Sequence, residues 1–239
     1  MLSIEEARAI FATADLPLYE TQYRQLNAYL SMILDENTRQ NLTRVTDPEE
    51  MWRKHFLDSA VLLQYAPIPL HTTCLDLGTG AGFPGIVLAI FRPDTQWTLL
   101  DSLQKRITFL ETVAETLGLA NVRCVHGRAE ELGKNPDYRE KFHYVTARAV
   151  APMPVLLEYC LPFTEVGGVF VAMKGPSEHM DQKTGAILGG GEAQELEYTL
   201  EQVGARKLIT VPKVEQTPPK YPRSPKAIRQ KPPEREEHP

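Results

Sequence analysis

The residues with the strongest claim to chemistry are Gly78-Thr79-Gly80-Ala81-Gly82, set between an apolar strand sequence and a helix sequence. A glycine turn at such a junction presents backbone N–H groups with no side chains in the way, so a polar ligand can approach the chain closely. Two cofactor patterns overlap in it. Gly78, Gly80 and Gly82 spell GxGxG, whereas Gly80, Gly82 and Gly85 spell the dinucleotide GxGxxG. Asp76 stands two residues before the first glycine, where a carboxylate would receive the ammonium of a methionine moiety and repel a pyrophosphate. Asp101, 25 residues further on, ends the next strand sequence and is placed to accept hydrogen bonds from a ribose diol, a device that NAD sites share. The two acids point to a nucleoside and leave its identity open.

Elements able to position these residues follow from periodicity. Residues 3–15 and 18–36 read as amphipathic helices, the second with Tyr23, Leu26, Leu30, Ile33 and Leu34 on one stripe. Asp47 reads as an N-cap, with Pro48 at the first helical position and Glu49 and Glu50 in the first turn of a helix through residue 64. Residues 1–66 thus form a helical cap. From Thr72 strands and helices alternate: strands at 72–77, 97–100, 122–125, 142–147 and 168–173, with helices at 84–90, 103–117 and 153–160 between them. That alternation implies a parallel sheet, closed by strands at 195–199 and 207–211, so that residues 67–211 make the core. Residues 212–239 hold eight prolines and seven Lys or Arg, too many breakers for a helix or a central strand. They read as an extended basic tail, either a disordered end or a segment that lies on an RNA backbone.

The 239 residues, 42% of them hydrophobic, suffice for one large domain with an appendage. A net charge of −5 argues against coating nucleic acid indiscriminately and leaves room for a local basic site. Cys74, Cys124 and Cys160 stand far apart, with no CxxC spacing, which suggests buried thiols, no disulfide framework and no metal site. The N-terminus carries acids where a signal peptide has basic residues, and no apolar run is long enough to span a bilayer. A cytoplasmic protein without membrane contact is expected.

NLT (41–43), RKHFLDS (53–59), DLGTGAGFPGIVLA (76–89), LLDSLQKRITFL (99–110), RAE (128–130) and ARAVA (147–151) follow in order. With them the chain resembles the glucose-inhibited division protein B (RsmG) family of bacterial rRNA methyltransferases. The resemblance implies an α/β, class I (Rossmann-like) S-adenosylmethionine-dependent methyltransferase fold, with a mostly parallel seven-stranded sheet, helices on both faces and an N-terminal helical cap. It implies methyl transfer from S-adenosylmethionine to N7 of a guanine in 16S rRNA, as free RNA or in the small subunit, by an enzyme expected to be monomeric. On matching positions it puts Gly78 and Phe83 against the cofactor, beside Asp76, Gly80 and Gly82 of the loop. Asp101, Ser102 and Leu103 would lie along the ribose, Ala129 and Glu130 at the adenine, and Arg148 at the reactive end.

Guanine N7 offers a lone pair and loses no proton on methylation, so the reaction needs positioning rather than a dedicated general base. Arg148 ends a strand, where burying a guanidinium alone would cost several kcal/mol, so a carboxylate or a phosphate should meet it. Arg53, Lys54, His55, Arg148 and Lys174 form the expected RNA-contacting set, although His55 equally suits helix packing and Lys174 a strand end. Arg223, in Tyr221-Pro222-Arg223, extends that set into the tail, where SPKAIRQKPP departs from the family's usual glycine-containing sequence. Two rivals remain: a nicotinamide-dependent oxidoreductase using GxGxxG, and a non-catalytic RNA-binding protein on the same fold.

Overall fold

A computed structural model describes residues 1–230 and Pro233, without the side chain of residue 229. Helix α1 (Ile4–Ala12) begins at Ser3, whose hydroxyl accepts from the Glu6 N–H while the Glu6 carboxylate accepts from the Ser3 N–H. Helix α2 (Glu20–Asn37) buries Leu26, Leu30 and Ile33 of the expected stripe together with Tyr29, while Tyr23 and Leu34 are half-buried at its margin. The third stretch departs from a plain helix. Asp47 caps α3 (Pro48–Met51) as expected, but Trp52–Leu57 is a π-helical turn, followed by α4 (Asp58–Ala60) and α5 (Leu62–Tyr65). Such wider turns gather at functional sites. Here the turn buries Trp52, Phe56 and Leu57 while Lys54 and His55 line a cleft described below.

The sheet and its helices run β1 (Thr73–Leu77), α6 (Gly85–Phe91), β2 (Gln96–Asp101), α7 (Gln104–Thr116), β3 (Val122–His126), α8 (Ala129–Leu132), β4 (Phe142–Arg148), α9 (Met153–Cys160), β5 (Thr164–Lys174), α10 (Gln182–Ile187), β6 (Gln194–Leu200) and β7 (Gly204–Pro212). The order is β3-β2-β1-β4-β5-β7-β6. Pairs among β1 to β5 are parallel, and β7 lies antiparallel between β5 and β6. Strand order reverses between β1 and β4, so a crevice opens beyond the carboxyl ends of those strands, where open α/β sheets bind ligands. This is the expected Rossmann-like α/β architecture.

Alternating β1 residues feed two cores. Cys74 joins Phe11, Tyr29, Trp52 and Phe56 of the cap, whereas Leu75 and Leu77 join Met153, Leu156, Phe163 and Phe170. All three thiols are free, with Cys74 and Cys160 buried and Cys124 half-buried.

The tail differs from its composition through residue 230. Tyr221 and Ile228 are buried, and α11 (Pro225–Gln230) forms despite the prolines, because Pro225 stands at the helix start, where no N–H is needed. Arg139 donates to the carbonyls of Thr217 at 2.6 Å and Tyr221 at 2.8 Å. Buried Lys213 donates to the Leu161 carbonyl at 2.7 Å. The rest of the expected basic tail, residues 231, 232 and 234–239, lies outside the described residues.

Candidate active site

The glycine loop is fixed from below. Asp76 Oδ2 accepts from Thr79 Oγ1 at 2.6 Å and from the Gly85 N–H at 2.8 Å. The carboxylate that the sequence offers to a ligand's ammonium therefore faces inward, fully buried. Its Oδ1 has no hydrogen-bond partner among the described residues, and burial pushes the group up to about 6. Tyr29 of α2 donates to the Ala81 carbonyl, so the cap also holds the loop. A pyrophosphate binds N–H groups at a helix N-terminus, and at α6 the Gly85 N–H is already taken by a carboxylate.

Above the loop lies a cleft of about 260 Å³, lined by Gly78, Asp101, Ser102, Ala129 and Glu130, and by Tyr159, which no sequence pattern singles out. Asp101 accepts from Gly80 N–H at 3.0 Å, Leu103 N–H at 2.9 Å and Arg106 Nη1 at 3.1 Å. Glu130 is buried and accepts from Arg128 Nε at 2.7 Å. The other expected cofactor residues do not line this cleft: Gly80 supports Asp101, Gly82 and Phe83 pack beneath the loop, and the Leu103 side chain is exposed. Phe83, joined to Pro84 by a cis peptide bond, stacks on His55 with centroids 4.7 Å apart.

A second cleft of about 660 Å³ shares Ala149 and Val150 with the first. Arg148 lines it, its Nη1 donating to Asp58 Oδ2 at 3.0 Å and its Nη2 to His55 Nδ1 at 3.2 Å. The guanidinium also lies over Phe83, 5.1 Å from the ring centroid. Burial, then the charges of Arg148 and Lys54, hold His55 down to about 3, so the ring is neutral near pH 7. Since Arg148 can only donate, Nδ1 accepts, and Nε2–H donates to Thr43 Oγ1 at 3.0 Å. NLT, RKHFLDS and ARAVA thus meet in one chain of hydrogen bonds. Of the expected RNA set, Lys54, His55, Arg148 and Lys174 line this cleft and Arg53 and Arg223 do not; Arg53 pairs with Glu49 at 2.9 Å.

The sequence family described as GidB, rRNA small subunit methyltransferase G, matches residues 22–198. The chain belongs to this family. It is 45% identical to the ribosomal RNA small subunit methyltransferase G of Alkaliphilus metalliredigens over 89% of this chain and 91% of that protein. With the methyltransferase G of Lactobacillus acidophilus it shares 46% identity, over 90% and 92% of the two chains. Solved structures agree on the fold alone. An O-methyltransferase from Bacillus cereus, solved with SAH, superposes with a TM-score of 0.55 at 16% identity, covering 78% of this chain and 91% of the other. A SAM-dependent O-methyltransferase from Thermotoga maritima gives 0.53 at 13% identity, covering 78% and 73%. As a methyltransferase G family member, the chain is a methyltransferase with S-adenosylmethionine as its cofactor.

Within this family member, Asp58 and Arg206 of the second cleft are, with Tyr159 of the first, residues that sequence reasoning missed. Asp58 is buried in RKHFLDS, and its Oδ1 meets Arg206 Nε at 3.3 Å. The demand of Arg148 for a carboxylate signalled that such a group exists without showing which. Arg223 is committed elsewhere, donating from Nη2 to Glu158 Oε2 at 2.6 Å and from Nε to Oε1 at 2.9 Å, with Glu158 fully buried. Breaking a buried pair strands the remaining charge. Arg223→Ala should therefore cost about 3 kcal/mol in urea unfolding, and an unchanged midpoint would show that the pair contributes no stability.

Proposed function

We propose that this methyltransferase transfers the methyl group of S-adenosylmethionine to N7 of a guanine in 16S rRNA. The observation that carries the reading is a pair of clefts joined at Ala149 and Val150, one lined by the acids Asp101 and Glu130 and the other by the hydrogen-bonded guanidinium of Arg148. The first cleft fits the cofactor. Its floor at Gly78 is bare backbone, where a Cβ would come within 2.6 Å of Val150 Cγ2, and Asp101 and Glu130 supply acceptors for a ribose diol and an adenine amino group. S-adenosylmethionine supplies an electrophilic methyl group on sulfur.

The residues of the second cleft orient the base. Arg148, forked between Asp58 and His55, keeps its remaining N–H groups for an acceptor on the purine rim. N7 loses no proton, so no group need remove one, and His55 has its acceptor nitrogen already occupied by Arg148. Rate enhancement then comes from alignment. The reading makes 16S rRNA or the small subunit the partner of a cytoplasmic, monomeric enzyme. Among the described residues no helix is long and apolar enough to cross a membrane.

The test is incorporation of labelled methyl into 16S rRNA and into small subunits, with the modified nucleotide mapped; failure on both substrates would sink the proposal. S-adenosylhomocysteine at 100 times its Kd should raise the melting temperature by about 5–10 °C. NAD should leave it unchanged, and the reverse order would restore the oxidoreductase reading.

A further inference from the structure

We propose that Arg206 binds one phosphodiester of the RNA beside the target guanine. The inference rests on the reading of the second cleft as the base site and adds a residue to it. Four cations line that cleft: Lys54, Arg148, Lys174 and Arg206. Three have a carboxylate in closer contact than Arg206 has or of their own. Lys54 meets Glu50 at 2.6 Å, Lys174 meets Glu178 at 3.5 Å while donating to the Ala151 carbonyl at 2.6 Å, and Arg148 meets Asp58 at 3.0 Å. Among the described residues Arg206 has only the other oxygen of the same Asp58, at 3.3 Å. One buried carboxylate therefore serves two guanidinium groups, and one positive charge stays uncompensated.

That charge is placed for an outside partner. The Arg206 side chain is 30% exposed against 15% for Arg148, so it stands at the lip while Arg148 stands deeper. Its Nη1 donates to the Ala205 carbonyl at 3.0 Å, and its Nη2 makes no hydrogen bond among the described residues. The backbone holds it there: Arg206 pairs across the β6–β7 ladder with Tyr198, and its neighbour Lys207 pairs with Lys174 at the carboxyl end of β5. A guanidinium with a free edge suits a phosphodiester, which carries the single negative charge required. In a chain of net charge −5, a polyanion is repelled at long range, so a local uncompensated cation decides where it attaches.

The test is steady-state methyl transfer to small subunits or 16S rRNA at several KCl concentrations, comparing wild type, Arg206→Ala and Arg206→Lys. For Arg206→Ala we expect KM for RNA to rise about tenfold with kcat within threefold, and the slope of log(kcat/KM) against log[KCl] to become shallower by about 0.7–0.9. Arg206→Lys, which keeps the point charge, should retain the wild-type slope. Affinity for S-adenosylhomocysteine should not move in either variant. An unchanged KM and salt slope in Arg206→Ala would overturn the proposal, as would a loss confined to S-adenosylhomocysteine affinity. Absence of methyl incorporation by the wild type would instead remove the functional reading itself, and the Arg206 proposal with it.

Discussion

Arg148→Ala should lower methyl transfer by about 10²–10³-fold, the loss seen when one preorganised donor is taken from a catalytic site. The expectation follows from how completely the guanidinium is fixed. Asp58 holds Nη1, His55 holds Nη2, and the guanidinium carbon lies 5.1 Å from the centroid of Phe83, a ring on which His55 also stacks. A group held on three sides has little orientational freedom left to lose when the base arrives, which is where positioned residues gain their catalytic effect. Folding should suffer much less. Removing Arg148 leaves Asp58 with Arg206 Nε, so no buried carboxylate is stranded, and the loss should be about 1–2 kcal/mol. Lysine should not restore activity, because one ammonium cannot reach Asp58 and His55 with the spread of a planar fork. Kinetics on intact small subunits, urea unfolding and calorimetric titration with S-adenosylhomocysteine separate these effects. Wild-type turnover in Arg148→Ala would remove the residue from the mechanism, and a collapse of cofactor affinity would move it to the other cleft.

What the sequence made legible was local. Strand β1 with its glycine loop, the Asp47 cap, and Asp101 at the end of β2 each declare themselves through neighbours a few residues away, because caps, turns and strand ends are short-range chemistry, whereas Glu130, in the first turn of α8, is indicated by the family resemblance. The second cleft was only half visible for the opposite reason. Arg206 meets Asp58 across 148 residues of chain, and only the antiparallel insertion of β7 beside β5 brings them together. Nor does periodicity forecast the π-helical turn that presents His55 and Asp58 to the same guanidinium. The tail shows the same limit. Counting prolines predicts what residues 212–230 cannot do alone and says nothing of the partners that Arg139, Glu140 and Glu158 provide from the core.

Gly82→Ala should be the most damaging single change in the glycine loop, whereas Gly80→Ala should be tolerated, although both residues belong to both overlapping patterns. At Gly80 the backbone has φ +62°, and an added Cβ would meet nothing nearer than the Gly78 carbonyl oxygen at 3.9 Å. The Gly80 N–H that serves Asp101 would survive, leaving only the left-handed backbone cost of about 1 kcal/mol. At Gly82 the φ is +104°, and a Cβ would come within 2.7 Å of Ile86 Cγ1 and 2.8 Å of Leu110 Cδ2, with the Tyr29 hydroxyl closer still. Those atoms belong to side chains of α6, α7 and α2, so three closely packed side chains must shift together, and Tyr29 must release the Ala81 carbonyl. Overpacking and backbone strain together should cost about 3–5 kcal/mol, a large share of the stability of a domain this size. Urea midpoints rank the two variants, and equal midpoints would refute the packing argument. Affinity for S-adenosylhomocysteine in folded Gly82→Ala protein should fall as well, because the loop that carries Gly78 is seated on the same three helices. Gly82, then, is a glycine for the sake of the side chains packed beneath it, whereas Gly78 is a glycine because a Cβ there would come within 2.6 Å of Val150 Cγ2 on the wall of the first cleft.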